Sequence, residues 1–162
     1  LDGIGNASPV AEFNVYCDPD SARAVFRSLT TKTLIPLDAT SQVVFTLDFV
    51  EQLPSEATRA GAFLRRIVPN VFRAYRQELG LEGIHLHDAV ALIAALNPEL
   101  FETEEIAGDV ETRGDLTTGA TVFDRRPNPG WRPNMAVATS IDAAAVADCI
   151  IRGLKAAGER SC

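Results

Sequence analysis

Apolar residues fall three to four positions apart over several stretches of this chain, the spacing that lines one face of a helix. Asp18-Pro19-Asp20 opens the first stretch with an acidic cap and a proline in the opening turn, and Ala22, Val25, Phe26 and Leu29 follow at helical spacing. Val43, Val44, Leu47 and Val50 repeat the spacing within residues 42–53. The longest stretch follows Pro54-Ser55-Glu56 and reaches Leu79, with Phe63, Leu64, Ile67, Val68, Val71, Phe72 and Tyr75 in one stripe. Pro69 lies inside it, which predicts a kink or two abutting helices. A further helix is expected from Asp88 to Leu96, capped by Asp88 and closed by Asn97-Pro98. The last runs from Asp142 to Ala157, Ala-rich and capped by Asp142.

Strand signals are fewer. Residues 32–37 are short, apolar and β-branched, and read as a buried strand ending at Asp38-Ala-Thr-Ser41. Residues 106–110 and 120–123 predict a β-hairpin joined through Arg113-Gly114 and Thr117-Thr-Gly119, and residues 135–138 one more strand. Residues 1–19 carry Gly3, Gly5, Asn6, Ser8, Pro9, Asn14, Asp18 and Pro19 and read as a loop, as does the proline-rich segment 125–133. Alternating helices and strands with a later hairpin define the class as α/β. One central strand and a hairpin are thin for a self-contained sheet, so a larger sheet is expected.

Composition narrows the partners. The chain has 162 residues, enough for one domain, and 46% of them are hydrophobic, enough for a core. A net charge of -7 without a basic run argues against nucleic acid. Every apolar stretch is cut by Arg, Asp or Pro, which argues against a membrane span. Cys17, Cys149 and Cys162 lack metal-ligand spacing, and their odd number fits a reducing, cytoplasmic setting. Cys17 reads as a small buried residue. The chain opens on Leu-Asp-Gly-Ile-Gly, without Met or a signal-peptide pattern, as though a segment belonged upstream.

Two constellations carry candidate chemistry. His85-Leu86-His87-Asp88 holds both histidines of the chain beside a carboxylate. It reads either as a capped helix preceded by histidine, or as an imidazole exchanging a proton next to a metal-binding acid. Asn6, Glu12 and Asn14 place two carboxamides and a carboxylate within one loop, a set suited to sugar hydroxyls. The same side chains also suit a loop that satisfies its own backbone.

In this order the motifs resemble those of the inosine-uridine preferring nucleoside hydrolase family. The resemblance rests on Gly5-Asn6, Ala11-Glu12-Phe13-Asn14, Asp18-Pro19-Asp20-Ser-Ala22 and His87-Asp88-Ala89-Val90-Ala91. Weaker echoes are Asp109-Val-Glu-Thr-Arg-Gly114, Thr121-Val-Phe-Asp124 and Pro133-Asn134. It implies a Rossmann-like mixed sheet with flanking helices and an added β-hairpin. It implies hydrolysis of the N-glycosidic bond of purine or pyrimidine ribonucleosides through an oxocarbenium-like state. By the same resemblance Asn6, Glu12 and Asn14 bind ribose, His87 protonates the leaving base and Asp88 is a calcium ligand. Tyr75 lies where some members place an aromatic residue near the base. His85 matches no family role; it reads as a neighbour tuning His87 or as a solvated strand end. No covalent nucleophile is required or found.

One departure limits the resemblance. Family members are about twice as long and open with an Asp-x-Asp-x-Gly-x-Asp-Asp motif that holds most of the calcium, and this sequence has none. It therefore looks like the C-terminal half of such a domain, weak or inactive alone, with apolar surface exposed. Partners implied are a nucleoside and either copies of the chain, as a dimer or tetramer, or an N-terminal half. The competing reading is a non-catalytic half domain serving binding or assembly. A stand-alone metal hydrolase using both histidines lacks further ligands.

Overall fold

A computed structural model describes residues 4–161. Gly3 and Cys162, named above, lie outside the described residues. The chain divides into two compact units, residues 1–39 with 101–141, and residues 40–100 with 142–162.

The first unit contains helices α1 (Phe13–Cys17) and α2 (Pro19–Arg27) and strands β1 (Thr33–Leu34), β2 (Phe101–Ile106), β3 (Gly108–Val110), β4 (Thr121–Phe123) and β5 (Met135–Ile141). Its main sheet has the order β1-β5-β2, parallel between β1 and β5 and antiparallel between β5 and β2. β3 and β4 pair antiparallel as the expected hairpin. The sheet is thus mixed and helix-flanked, as expected for the α/β class. Phe26, Ile106, Val110, Met135 and Val137 form its core, with Val15, Leu34 and Phe123 packed against them.

Three expectations are corrected here. The segment at 32–37 is not the central strand; only Thr33–Leu34 is extended and it lies at the edge, because Pro36 cannot donate to a ladder. β5 occupies the centre and runs three residues past the expected end at Ala138. β2 escapes sequence reading because Glu102, Thr103, Glu104 and Glu105 are all exposed, with only Phe101 and Ile106 buried at its ends. Among α2's apolar positions Phe26 is buried, whereas Val25 is exposed and Leu29 lies beyond the helix in solvent.

Polar contacts tie this unit together. Asp18 caps α2 by accepting from the Ser21 amide at 3.0 Å. Asn134 accepts from the Gly108 amide and donates to the carbonyls of Gly108 and Phe26, each at 2.9 Å, joining three segments through one side chain. Asp109 receives Arg23 and Arg27 from α2. Burial pushes its carboxyl up, but hydrogen bonds from Arg27, the Val110 amide and Arg23 outweigh that and lower it to about 2.

The chain leaves this unit through α3 (Leu37–Thr40). The second unit is helical: α4 (Phe49–Gln52), α5 (Arg59–Ala74), α6 (His87–Leu96) and α7 (Ala143–Glu159). α7 packs on α5 and α6. Residues 42–53 are not one helix; only Phe49–Gln52 is helical, while Val43 and Phe45 are buried and Val44 between them is exposed. That alternation of period two is what an extended segment produces, and Phe45 pairs with Ile84 in an antiparallel bridge. α5 runs through Pro69 as a single helix and not as two abutting ones, capped by Thr58 and continued by a π turn over Tyr75–Leu79. Gly80 then ends the turn in the left-handed region at φ 68°, a conformation without steric cost for glycine. Among the described residues no helix is long and apolar enough to cross a membrane.

Candidate functional site

Asn6, Glu12 and Asn14 lie on one tightly wound segment of the first unit. The amides of Asn6 and Ala7 both donate to the Ala11 carbonyl at 3.1 Å, and Ala11 is buried. Gly5 permits this winding, because a Cβ there would stand 2.2 Å from the Ser8 carbonyl oxygen. The segment is not loop throughout, since α1 begins at Phe13. Glu12 is its N-cap and accepts from the Val15 amide at 3.0 Å, while Asn6 Oδ1 accepts from the Phe13 amide at 2.9 Å. Both side chains thus hold their own backbone through one oxygen, and Asn6 Nδ2 and the second Glu12 oxygen take no part in these bonds. Asn14 projects from the first turn of α1 and is exposed, as is Cys17, which corrects its reading as a buried residue.

Tyr75, His85, His87 and Asp88 belong to the second unit. The His85 and His87 rings stack with centroids 5.4 Å apart and 19° between planes, and Tyr75 lies 6.3 Å from His85. The Tyr75 hydroxyl donates to the His85 carbonyl at 3.3 Å. His85 Nδ1 stands 3.2 Å from the Val43 carbonyl, which can only accept, so this nitrogen carries the proton. His85 is therefore a ring neighbour of His87. His87 Nδ1 meets the Thr40 hydroxyl at 2.7 Å.

The helix begins one residue earlier than expected. His87 is its first residue, Leu86 is the capping position without a side-chain cap bond, and Asp88 stands in the first turn, exposed. Asp88 is therefore not an N-cap; its charge favours the helix start through the backbone dipole instead. Thr40, the last residue of α3, contacts His87 and escaped sequence reasoning, because one threonine at a helix end has no pattern to mark it.

Asp88 tests the fit of a calcium ion. Such an ion takes six to eight oxygens. Among the described residues no group of three or more His, Cys, Asp or Glu side chains is placed to hold a metal. One exposed carboxylate does not amount to that shell, so the described residues do not fit a calcium cage by themselves. The second unit also frames an open groove of about 580 Å³, lined by Asp48, Phe72, Arg73, Arg76 and Glu82 among others. None of the candidate site residues lines it.

The mixed sheet with flanking helices is the fold of the ribonucleoside hydrolases. The chain superposes on the purine-preferring ribonucleoside hydrolase of Gardnerella vaginalis with a TM-score of 0.83 and 32% identity, over 95% of this chain and 50% of that one. Residues 1–148 match the model of the inosine-uridine preferring nucleoside hydrolases, and the chain belongs to that family. It is 37% identical over 140 residues to the non-specific ribonucleoside hydrolase RihC of Shigella boydii, covering 86% of this chain and 44% of that protein. It is also 37% identical over 140 residues to the inosine-uridine preferring nucleoside hydrolase of Leishmania major, covering 85% and 44%. The chain thus spans less than half the length of these curated relatives.

Proposed function

We propose that the chain contributes the sugar-binding and base-protonating residues of a ribonucleoside hydrolase. Family membership carries this reading, and the roles of Asn6, Glu12, Asn14, His87 and Asp88 are proposed from the resemblance of their motifs. In the reaction the bond from C1′ to the base nitrogen breaks, its electron pair leaves with the base, and water adds to the sugar. Positive charge spreads over C1′ and the ring oxygen as the bond lengthens. Hydroxyl contacts from Asn6, Glu12 and Asn14 that strengthen as the sugar flattens lower the barrier, because only interactions stronger in the transition state accelerate the step. The departing base acquires a proton from His87, since an imidazole titrating near neutrality is suited to give one.

Asp88 is proposed as one oxygen ligand of a calcium ion. When bound, such an ion would hold sugar hydroxyls and polarise the attacking water. The described residues do not complete its shell, so the chemistry assigned to this chain is confined to sugar binding and proton transfer. For the same reason the 162-residue chain alone is proposed to be weak or inactive. That observation also favours the alternative of a non-catalytic half domain that binds or assembles. Tyr75 is proposed to lie near the base; its hydroxyl donates to the His85 carbonyl at 3.3 Å. A cytoplasmic setting is proposed from the odd number of cysteines.

Release of free ribose from inosine and uridine tests the assignment in any form of the protein that turns over. Glu12→Gln is expected to slow both substrates. His87→Ala is expected to slow inosine by about a hundredfold or more, the usual worth of a general acid. Inosine turnover that survives His87→Ala unchanged would remove the histidine from the mechanism.

A further inference from the structure

The segment that carries Asn6, Glu12 and Asn14 is wound on one residue. The Ala11 carbonyl accepts from the amides of Asn6 and Ala7, each at 3.1 Å, and from that of Ser8 at 3.4 Å. Ala11 is 1% exposed and pairs with Ala120 in an isolated antiparallel bridge. Beside that bridge Gly119 is buried against the same segment. A Cβ on Gly119 would stand 3.0 Å from Tyr16 Cα, 3.1 Å from the Ala11 methyl and 3.3 Å from the Tyr16 amide nitrogen. Its backbone lies in the left-handed region at φ 81°, where only glycine is free of steric cost.

Gly119 is held from its own side as well. Its amide donates to the Glu111 carbonyl at 2.8 Å, and the Glu111 amide donates to the Ala120 carbonyl at 2.9 Å. The Ala120 amide donates to the Thr117 carbonyl at 2.9 Å, and the Thr118 hydroxyl and amide both donate to the Gly114 carbonyl. The loop between β3 and β4 is thus closed on itself, and residues 11–16 seat directly on its backbone. An approach this close between two backbones is a position that glycine serves, and a shift of one displaces the other. We infer that the β3–β4 loop positions the ribose-binding segment, with Gly119 as the positioning residue. Glu12 and Asn14 lie in sequence between its two contacts, Ala11 and Tyr16, so their placement follows the loop. The inference rests on the proposed hydrolase reading for what the segment binds, and on the contacts above for what holds it.

Native-state amide exchange on the purified 162-residue chain tests the coupling, first without any substitution. The amides of Asn6, Ala7, Phe13 and Val15 report the segment, those of Glu111, Gly119 and Ala120 the loop, and those of Asp124 and Ala136 the sheet. As denaturant rises, segment and loop amides should join in one opening; a segment that opens while the loop stays closed would overturn the inference. Gly119→Ala should then speed exchange of the segment amides about tenfold relative to those of Asp124 and Ala136, as a strained backbone and a crowded Cβ require. If that variant does not fold, Gly119→Asn carries the same Cβ on a residue that tolerates left-handed φ. A rise shared equally by the sheet amides, or no rise, would overturn the positioning role. In a form of the protein that turns over, Gly119→Ala should also raise KM for inosine and uridine alike by about tenfold. Mere loss of folded protein would lower kcat and leave KM in place, and that result would overturn the inference too. Ribose release unaffected by Glu12→Gln would instead sink the hydrolase reading and leave the loop's hold on the segment as measured.

Discussion

Asn6 and Glu12 each give one oxygen to the backbone that carries them, at 2.9 and 3.0 Å. Their residue types suit sugar hydroxyls, and equally a loop that serves its own backbone. The structure shows that second use, and a carboxylate or carboxamide has further lone pairs and protons beyond it. The histidine neighbourhood was readable only in part. The two histidines stand one residue apart in sequence, but the Thr40 and Val43 contacts come from some forty residues away and left no local signal. At the same scale, Asp109 makes the chain acid-sensitive. Its folded carboxyl lies at about 2 against an ordinary 3.8. A depressed carboxyl contributes stability that is complete above its ordinary value and lost as pH falls through the folded one. Unfolding followed between about pH 4 and about pH 2 should therefore show a loss of stability that Asp109→Asn diminishes. An unchanged acid profile in that variant would assign the sensitivity elsewhere.

Elements whose caps and periodicity agree were read well from sequence. α7 follows Asp142, which accepts from the Ala145 amide at 3.0 Å, and α2 follows Asp18 in the same way. The hairpin of β3 and β4 obeyed its turn residues. Errors arose where one pattern serves two geometries. Val43, Val44 and Leu47 fit a helical stripe, yet Val44 and Leu47 are exposed because the extended pairing of Phe45 with Ile84 governs the segment. β2 carries four polar residues in a row and so has no alternation to read; its register is set by β5. α5 retained its helix through Pro69 because its buried face, with Val68 and Phe72, outweighs one lost hydrogen bond. Two substitutions probe these elements in denaturant. Ile84→Ala, at a fully buried side chain between Phe45 and the histidines, should cost about 2–5 kcal/mol. Asp142→Ala should cost about 1 kcal/mol through the lost cap. An Ile84→Ala variant as stable as wild type would show that the pairing of Phe45 with Ile84 is not held by this packing.

At the scale of the whole chain, the coverage of its relatives and its surface lead in one direction. It spans 44% of the curated relatives, and among the described residues Leu29, Leu47, Phe63, Leu92, Leu96 and Leu116 are well exposed. Large apolar side chains left in water favour association. Sedimentation velocity should therefore show self-association that weakens when Leu92 and Leu96 are replaced by Gln; a stable monomer at all concentrations would contradict this. Among the described residues no group of three or more His, Cys, Asp or Glu side chains is placed to hold a metal. The central claim is that this chain holds one portion of a ribonucleoside hydrolase site. It is tested most directly by ribose release from inosine, with calcium present, by the chain alone and by the chain joined to the remaining length of the Leishmania major relative. The account predicts little or no ribose from the chain alone, and turnover by the joined protein that His87→Ala removes. A folded joined protein that releases no ribose, or one that keeps its full rate without His87, would contradict it.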